Sequence, residues 1–317
     1  MKIITIVVSV FNEQEGIIHF SNDLFKTLSQ IHNYKFEVLW VNDGSTDKSH
    51  LIIQREIISQ FHGNIINKYI RFSKNFGHES AMLAGIDNSS GEVLICIDSD
   101  MQHPPSLIRK MLEIYEEGYE IVLPKRISNP DQSLIKNFVN YIFYKIINSL
   151  SEQIKLEEGV SDFFLISKDV IELFKHEYRF SARWIRGVIQ SIGFSVTKVE
   201  YRAESRKYGN SKYDYRKLMS LSLDAIFSFS FKPMHVAKYI SLIFIFLSIS
   251  LGVYSFFEYF SGHNPPSGYT TIILFISLSF SLLFFILAII CFYIEKLIRE
   301  TYKYPLYIIK SNSDENK

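Results

Sequence analysis

VLICIDSDMQHPP, residues 93–105, is the stretch that decides the fold. Residues 93–97 are an unbroken apolar run rich in β-branched side chains, and the run stops at Asp98, Ser99 and Asp100. An apolar run bounded by polar residues reads as a fully buried strand. Pro104 and Pro105 then open a helix over 105–117, since proline fits the first helical turn. Working outward, the same alternation recurs. Strands are expected at 3–10, 36–41, 65–72, 93–97 and 120–123, with helices at 13–30, 46–61, 78–88 and 105–117. That rhythm predicts an α/β fold, a mostly parallel sheet with helices on both faces. Such sheets bind ligands at the carboxyl ends of their strands, where the polar motifs of this chain fall.

Asp98 and Asp100 lie two apart at one strand end, with Gln102 two further on. Oxygen ligands so spaced suit a hard divalent cation that keeps positions open for a diphosphate; the plainer reading is that Asp and Ser cap the following helix. VNDGSTD, residues 41–47, follows another strand. Asp43 and Gly44 form a turn, Ser45 or Thr46 can cap the next helix, and an acid at a strand end can hydrogen-bond a base or ribose. Ser9, Phe11, Asn12 and Glu13 close the first strand. FSKNFGHE, residues 72–79, adds Lys74, Asn75 and His78; taken alone, His78 reads as structural. Four polar strand ends on one sheet edge point to a ligand site.

Beyond Pro124 the rhythm loosens. Helices are expected at 133–150 and about 182–191, and a strand at 196–201. Over 213–229, Leu218, Leu221, Ala225 and Phe229 recur at helical spacing beside basic residues, as in a helix lying at a membrane surface; a core-facing helix would read similarly. Apolar residues make up 47% of the chain, near a soluble average, but they crowd into 239–294. Residues 239–257 and 269–294 carry no charge, and at about 1.5 Å rise per residue each can cross roughly 30 Å of hydrocarbon. The loop between them has no Lys or Arg, whereas Lys232, Lys238, Lys296 and Arg299 flank the pair. Positive-inside bias therefore predicts a multi-pass plasma-membrane protein with both termini cytoplasmic. Domains are expected at 1–212 (catalytic), 213–234 (amphipathic), 235–294 (two-helix hairpin) and 295–317 (cytoplasmic tail, frayed from 311).

The formal net charge of +1 gives no polyanion signature, so no nucleic-acid partner is expected. Arg202, Arg206, Lys207, Lys212, Arg216 and Lys217 cluster just before the apolar region, where basic residues meet anionic headgroups of membrane lipids or a phosphate. Cys96 and Cys291 show neither disulfide nor metal-ligand spacing. The first residues read as a strand rather than a signal peptide, because no small-residue cleavage site follows.

Phe11-Asn12-Glu13, VNDGSTD, FSKNFGHE, DSDMQHPP, RKYGNSKY at 206–213 and PLY at 305–307, in this order, resemble glycosyltransferase family 2. The similarity is to its polyprenyl-phosphate sugar transferases, related to dolichyl-phosphate mannose synthase and bactoprenol glucosyltransferase. The resemblance implies a GT-A fold, a nucleotide-diphosphate sugar donor such as a UDP-hexose, Mg2+ or Mn2+, and inverting transfer to polyprenyl (undecaprenyl) phosphate; it also allows a homo-oligomer. Carried over residue by residue, it implies nucleotide-sugar contacts at Phe11, Glu13, Asp43, Lys74 and Asp98. It implies metal ligation by Asp98, Asp100 and Gln102, catalytic roles for Asp162 and Asp100, and acceptor-phosphate contacts from Arg126, Arg206 and Lys212. The chain departs from the family pattern at Ser9 (often Pro), Asn42 (often Asp) and Phe164 (often Arg), the last removing a cation near Asp162. A phosphate monoester is largely dianionic at neutral pH, so the acceptor needs positioning more than a general base. The competing reading is a glycan-extending transferase with an alcohol acceptor, whose Gln-x-x-Arg-Trp motif is matched only in part by Arg183-Trp184. A non-catalytic scaffold is disfavoured by the intact Asp98-Ser99-Asp100, and a dinucleotide oxidoreductase by the lack of G-x-G-x-x-G after the first strand.

Overall fold

A computed structural model of the chain describes residues 1–60, 63–128, 145, 148–149, 157, 159–179, 185–202, 232–261, 268–301 and 305–312. The chain divides into two compact units. The first comprises Met1–Ile146, Ile154–Lys217 and Pro305–Lys317; the second comprises Ile147–Gln153 and Leu218–Tyr304.

The first unit is an eight-stranded sheet with helices. In chain order its elements begin β1 (Ile3–Val10), α1 (Ile17–Ser29), β2 (Lys35–Asn42) and α2 (Ser49–Ile52), which runs on into a π-helical turn, Ile53–Ile57. Then come β3 (Ile65–Phe72), α3 (His78–Asp87), β4 (Val93–Asp98), α4 (Leu107–Glu116) and β5 (Ile121–Ser128). The rest are β6 (Phe164–Ser167), α5 (Lys168–His176), α6 (Ile185–Ile189), β7 (Val196–Arg202) and β8 (Ile309–Asn312). Strand order is β7-β5-β6-β4-β1-β2-β3-β8.

The four strands β4-β1-β2-β3 are mutually parallel. Strands β4, β1 and β2 carry the near-continuous buried runs expected of a sheet covered on both faces, whereas β3 is mixed. Ile4, Ile6, Val8, Val38, Trp40, Val93 and Ile95 are fully buried and share one core with Phe20 and Leu24 of α1 and Met111 of α4. Chain order reverses at β1, which has β2 on one side and β4 on the other. The carboxyl ends of these strands flank the switch point where open α/β sheets bind ligands.

Three strand assignments go beyond the sequence expectation. β6 had not been expected; it inserts antiparallel between β4 and β5, pairing Cys96 with Phe164 and Val122 with Leu165. β5 continues to Ser128 because β7 pairs with it in parallel. Residues 305–312, expected within a C-terminal tail, return to the first unit, and β8 pairs antiparallel with the edge of β3. The tail expectation is corrected there: β3 presents unpaired backbone groups, and β8 covers them. The expected helices at 133–150 and 213–229 lie outside the described residues, apart from helical positions 145, 148 and 149.

The second unit holds α7 (Lys232–Phe260) and α8 (Tyr269–Thr301), both longer than the uncharged stretches inside them. Among the described residues one window, Leu278–Glu295, is long and apolar enough to cross a membrane, and 6% of it is buried within the protein; His235–Phe244 is a shorter apolar stretch. Ser241 and Ser250 return their hydroxyls to the carbonyls of Ala237 and Phe246 at 2.9 Å, which satisfies these polar groups within the helix. Cys96 and Cys291 are free thiols, the first buried and the second exposed.

Candidate active site

The loops after β1 and β2 are knitted together. Ser45 Oγ accepts the Asn12 N–H at 3.0 Å, Ser49 Oγ accepts the Glu13 N–H at 2.9 Å, and Asn12 Oδ1 accepts the Thr46 N–H at 2.9 Å. Asn12 takes a left-handed backbone, φ 55°, which Asn tolerates better than most residues. The Asp43-Gly44 turn follows. Both Asp43 oxygens are engaged: Oδ1 accepts the Phe76 N–H at 2.7 Å and Oδ2 the Gly77 N–H at 3.0 Å. Burial pushes the Asp43 pKa above the ordinary carboxylate value, and those two donors only partly offset it. Gly44 has φ 66°, and a Cβ there would lie 2.3 Å from the Lys74 carbonyl carbon. Only glycine lets the β2 turn lie against loop 73–77.

At the end of β4, carboxylates and cations interleave. Ser9, paired with Asp98 across the β1–β4 register, donates its hydroxyl to Asp98 Oδ1 at 2.7 Å. Ser9 thus orients the first acid. His78 Nε2 lies 3.5 Å from Asp98 Oδ1 and 3.6 Å from Asp162 Oδ2. Burial opposes a charge on His78, but Asp98 and Asp162 outweigh it and raise its pKa to about 9. His78 is therefore an imidazolium bridging two carboxylates at neutral pH. A third of its side chain stays accessible while Nε2 itself is shielded. Arg186 Nε approaches Asp162 Oδ1 at 3.8 Å from α6. The cation beside Asp162 that Phe164 does not supply thus comes from another element. Burial, followed by Asp162, raises the Glu79 pKa, and Glu79 Oε2 accepts the Ile185 N–H at 2.9 Å, tying α3 to α6. His103 is buried between Phe163 and Tyr201, with Nδ1 3.7 Å from Asp98 Oδ2. Burial lowers its pKa, so it is neutral.

The sequence-derived residues fall in three groups. Asp98 and Asp162 meet through His78. Asp100 Oδ1 accepts the Gln102 N–H at 3.1 Å, and Gln102 Oε1 takes a long bond of 3.4 Å from Arg126, so these three residues form an adjacent chain. Phe11, Glu13 and Asp43 line the β1 and β2 ends, and Lys74 is exposed with its ammonium 5.2 Å above the Phe76 ring. Arg206 and Lys212 lie outside the described residues. Among the described residues no group of three or more His, Cys, Asp and Glu side chains gathers as a metal cage. The donors at the β4 end, two carboxylates and an amide, are all oxygens. That chemistry fits Mg2+ or Mn2+, with the protein supplying only part of the coordination shell.

The sequence profile described as Glycosyl transferase family 2 matches residues 5–174. An uncharacterized glycosyltransferase of Bacillus subtilis (strain 168), YkcC, is 32% identical over 319 residues, covering 99% of this chain and 95% of the relative. A bactoprenol glucosyl transferase of Shigella phage SfX is 32% identical over 308 residues, covering 97% and 99%. The chain belongs to glycosyl transferase family 2. The solved mannosyl-3-phosphoglycerate synthase from Rubrobacter xylanophilus reaches a TM-score of 0.49 at 12% identity over 72% of each chain, a likeness too slight to argue from.

In this family 2 glycosyltransferase, with its GT-A α/β fold, the structure also gathers Arg186, Glu79, His103 and His78 around the acids, and sequence reasoning gave none of these four a role in the site. A signal for Arg186 was present. It stands in an otherwise apolar stretch, Ile185–Ile189, and an arginine inside such a stretch needs a carboxylate partner.

Proposed function

We propose that the protein transfers a sugar from a nucleotide-diphosphate sugar, a UDP-hexose, to undecaprenyl or a similar polyprenyl phosphate at the cytoplasmic membrane face, with inversion. The observation that carries this reading is the near full-length likeness to a bactoprenol glucosyl transferase. The acid cluster alone would suit any family 2 glycosyltransferase, whereas the likeness extends through the apolar C-terminal region as well. In this reading α8, which carries the window long and apolar enough to cross a membrane among the described residues, and α7, with a shorter apolar stretch, would form a hairpin with both termini cytoplasmic and hold the enzyme beside a lipid acceptor.

In this reading a phosphate oxygen of the acceptor forms a bond to the anomeric carbon as the bond from that carbon to the diphosphate breaks, and the nucleoside diphosphate leaves. The acceptor is already a nucleophilic dianion, so the residues mainly position it. Arg126, together with Arg206 and Lys212, would grip its phosphate by charge-assisted hydrogen bonds. Asp162, held between His78 and Arg186, would orient the acceptor or the sugar hydroxyls. Phe11, Glu13, Asp43 and Lys74 would contact the nucleotide. Asp98, Asp100 and Gln102 would hold Mg2+ or Mn2+, which supplies neutralising charge for the diphosphate.

The test is to incubate membranes containing the protein with labelled nucleotide-sugars and undecaprenyl phosphate, then identify the extracted lipid by mass spectrometry. A lipid-linked monosaccharide is the expected product. Transfer to a neutral alcohol in preference to the lipid phosphate would overturn the reading.

A further inference from the structure

The segment that follows α8 sits on the root of the loop after β3. β8 pairs with β3 through Ile70↔Asn312 and Arg71↔Ser311, shifts register, and sets Ile309 opposite Phe72. Just beyond, the Ile308 carbonyl accepts the Ser73 N–H at 3.0 Å. Tyr307 extends this contact. Its ring lies flat on Phe72, with centroids 5.2 Å apart and planes 11° from parallel, and Phe72 meets Phe76 edge-on at 5.8 Å. The Tyr307 hydroxyl donates to Asp87 Oδ2 at 2.6 Å, while Arg179 pairs with the other oxygen of that carboxylate. Burial, with Asp87 beside it, pushes the Tyr307 hydroxyl pKa well up, so it remains a donor. Asp87 ends α3, and His78 begins it.

Loop 73–77 therefore has three holds. Gly44 lies against the Lys74–Asn75 peptide, Asp43 takes the Phe76 and Gly77 amides, and Tyr307 backs Phe72 and, through it, Phe76. The first two holds come from the turn after β2, which in the proposed reading faces the nucleotide. The third comes from chain more than two hundred residues away in sequence.

We infer that Tyr307 is a positioning residue for the donor loop: by stacking on Phe72 and anchoring to Asp87 it fixes residues 73–77 against Asp43, and so sets donor affinity without touching the donor. This rests on the donor reading of the β2 and β3 ends given above. Residues 302–304 are all that separate α8 from this segment, so the strand that completes the sheet and the hold on the donor loop are one continuation of the apolar helix. An aromatic stack of this kind changes an equilibrium by about two- to tenfold.

The experiment uses the full chain in detergent or nanodiscs. Wild type, Tyr307→Phe and Tyr307→Ala are compared by hydrogen exchange over 73–77, by calorimetry with UDP and GDP, and by initial rates against each substrate. Tyr307→Ala should speed exchange over 73–77, weaken nucleotide binding about two- to tenfold, and raise the donor KM while leaving the acceptor KM unchanged. Tyr307→Phe keeps the stack and loses only the bond to Asp87, so it should recover most of the affinity. If Tyr307→Ala does not accumulate as folded protein, Tyr307→Leu, which keeps apolar bulk without the flat stack, carries the same expectation. Unchanged exchange and donor affinity would overturn the inference. So would uniform loss of protection across the sheet with both KM values moved, the mark of a purely structural residue. If wild type bound neither UDP nor GDP, the donor reading would fall, while exchange over 73–77 would still decide whether Tyr307 holds the loop.

Discussion

Asp43→Asn tests the best-defined part of the donor side. The residue is 3% exposed, and its carboxylate accepts two backbone N–H groups, at 2.7 Å from Phe76 and 3.0 Å from Gly77. Asparagine has nearly the same shape but offers one oxygen and one amide nitrogen. One of the two N–H groups must then face another donor. Leaving a buried N–H without an acceptor costs about 1–3 kcal/mol. Global stability should change much less. Burial already raises the Asp43 pKa, so ionised Asp43 is itself unfavourable in the fold, and a neutral side chain relieves part of that penalty. The loss should therefore fall on the closed form of loop 73–77. If the donor binds only that form, apparent affinity drops as the closed fraction falls, by at most about five- to 160-fold. The assay is UDP calorimetry on wild type and Asp43→Asn, with exchange at the Phe76 and Gly77 amides and thermal unfolding on the same samples. Wild-type affinity together with wild-type protection at those two amides would refute the reasoning. So would a large fall in melting temperature with affinity intact.

Three further outcomes are expected. EDTA should abolish sugar transfer and Mg2+ or Mn2+ restore it, and Asp100→Asn should lose at least about a hundredfold in rate at unchanged melting temperature, since a bound cation is worth several kcal/mol; full turnover in metal-free buffer would refute this. Glu37 is buried, which opposes its charge, but bonds from Ser90, Lys68 and Thr5 outweigh the burial and hold its pKa below the ordinary value of an unfolded chain. The stability it contributes is present above that unfolded-state value and lost as pH falls through the lower folded value. Glu37→Gln should therefore destabilise by about 1–3 kcal/mol at pH 7 and blunt the acid-side loss measured by thermal unfolding. In a variant lacking Cys96 and Cys291, Ser261→Cys should react with an impermeant maleimide outside intact cells; protection there would overturn the proposed hairpin.

How much could be read ahead depended on whether partners were local. β1, β2 and β4 are buried almost throughout, so each is a near-continuous apolar run that identifies itself, whereas β3 interleaves Asn67, Lys68 and Arg71 with its apolar residues. β6 has the short sequence FLIS and passes at once into α5; its strand character comes from lying between β4 and β5, a relation between distant segments. β8, IKSN, has neither apolar alternation nor length. It becomes a strand because β3 offers an open edge and Tyr307 is anchored beside it. The helix expected at 46–61 carries helical spacing, yet it shortens to Ser49–Ile52 and widens into a π turn.

The candidate site divides in the same way. Residues at strand ends were legible because an apolar run stopping at an acid is a local pattern. The cluster around Asp162 was not, since Arg186, Glu79 and His78 reach it from α6 and α3. The spacing argument for Asp98 and Asp100 shows where local reasoning stops. Two residues apart in a strand would place both side chains on one face. Asp98, however, is the last residue of β4, and Met101 has φ 62°, so the backbone has left strand geometry. Asp98 joins Ser9 and His78, whereas Asp100 takes the Gln102 N–H within its own loop. The two acids are near neighbours in sequence, but strand alternation does not make them a pair. If a cation joins them, the loop from Ser99 to Gln102 sets their spacing, so substitutions at Met101 should bear on metal affinity as directly as substitutions at the acids.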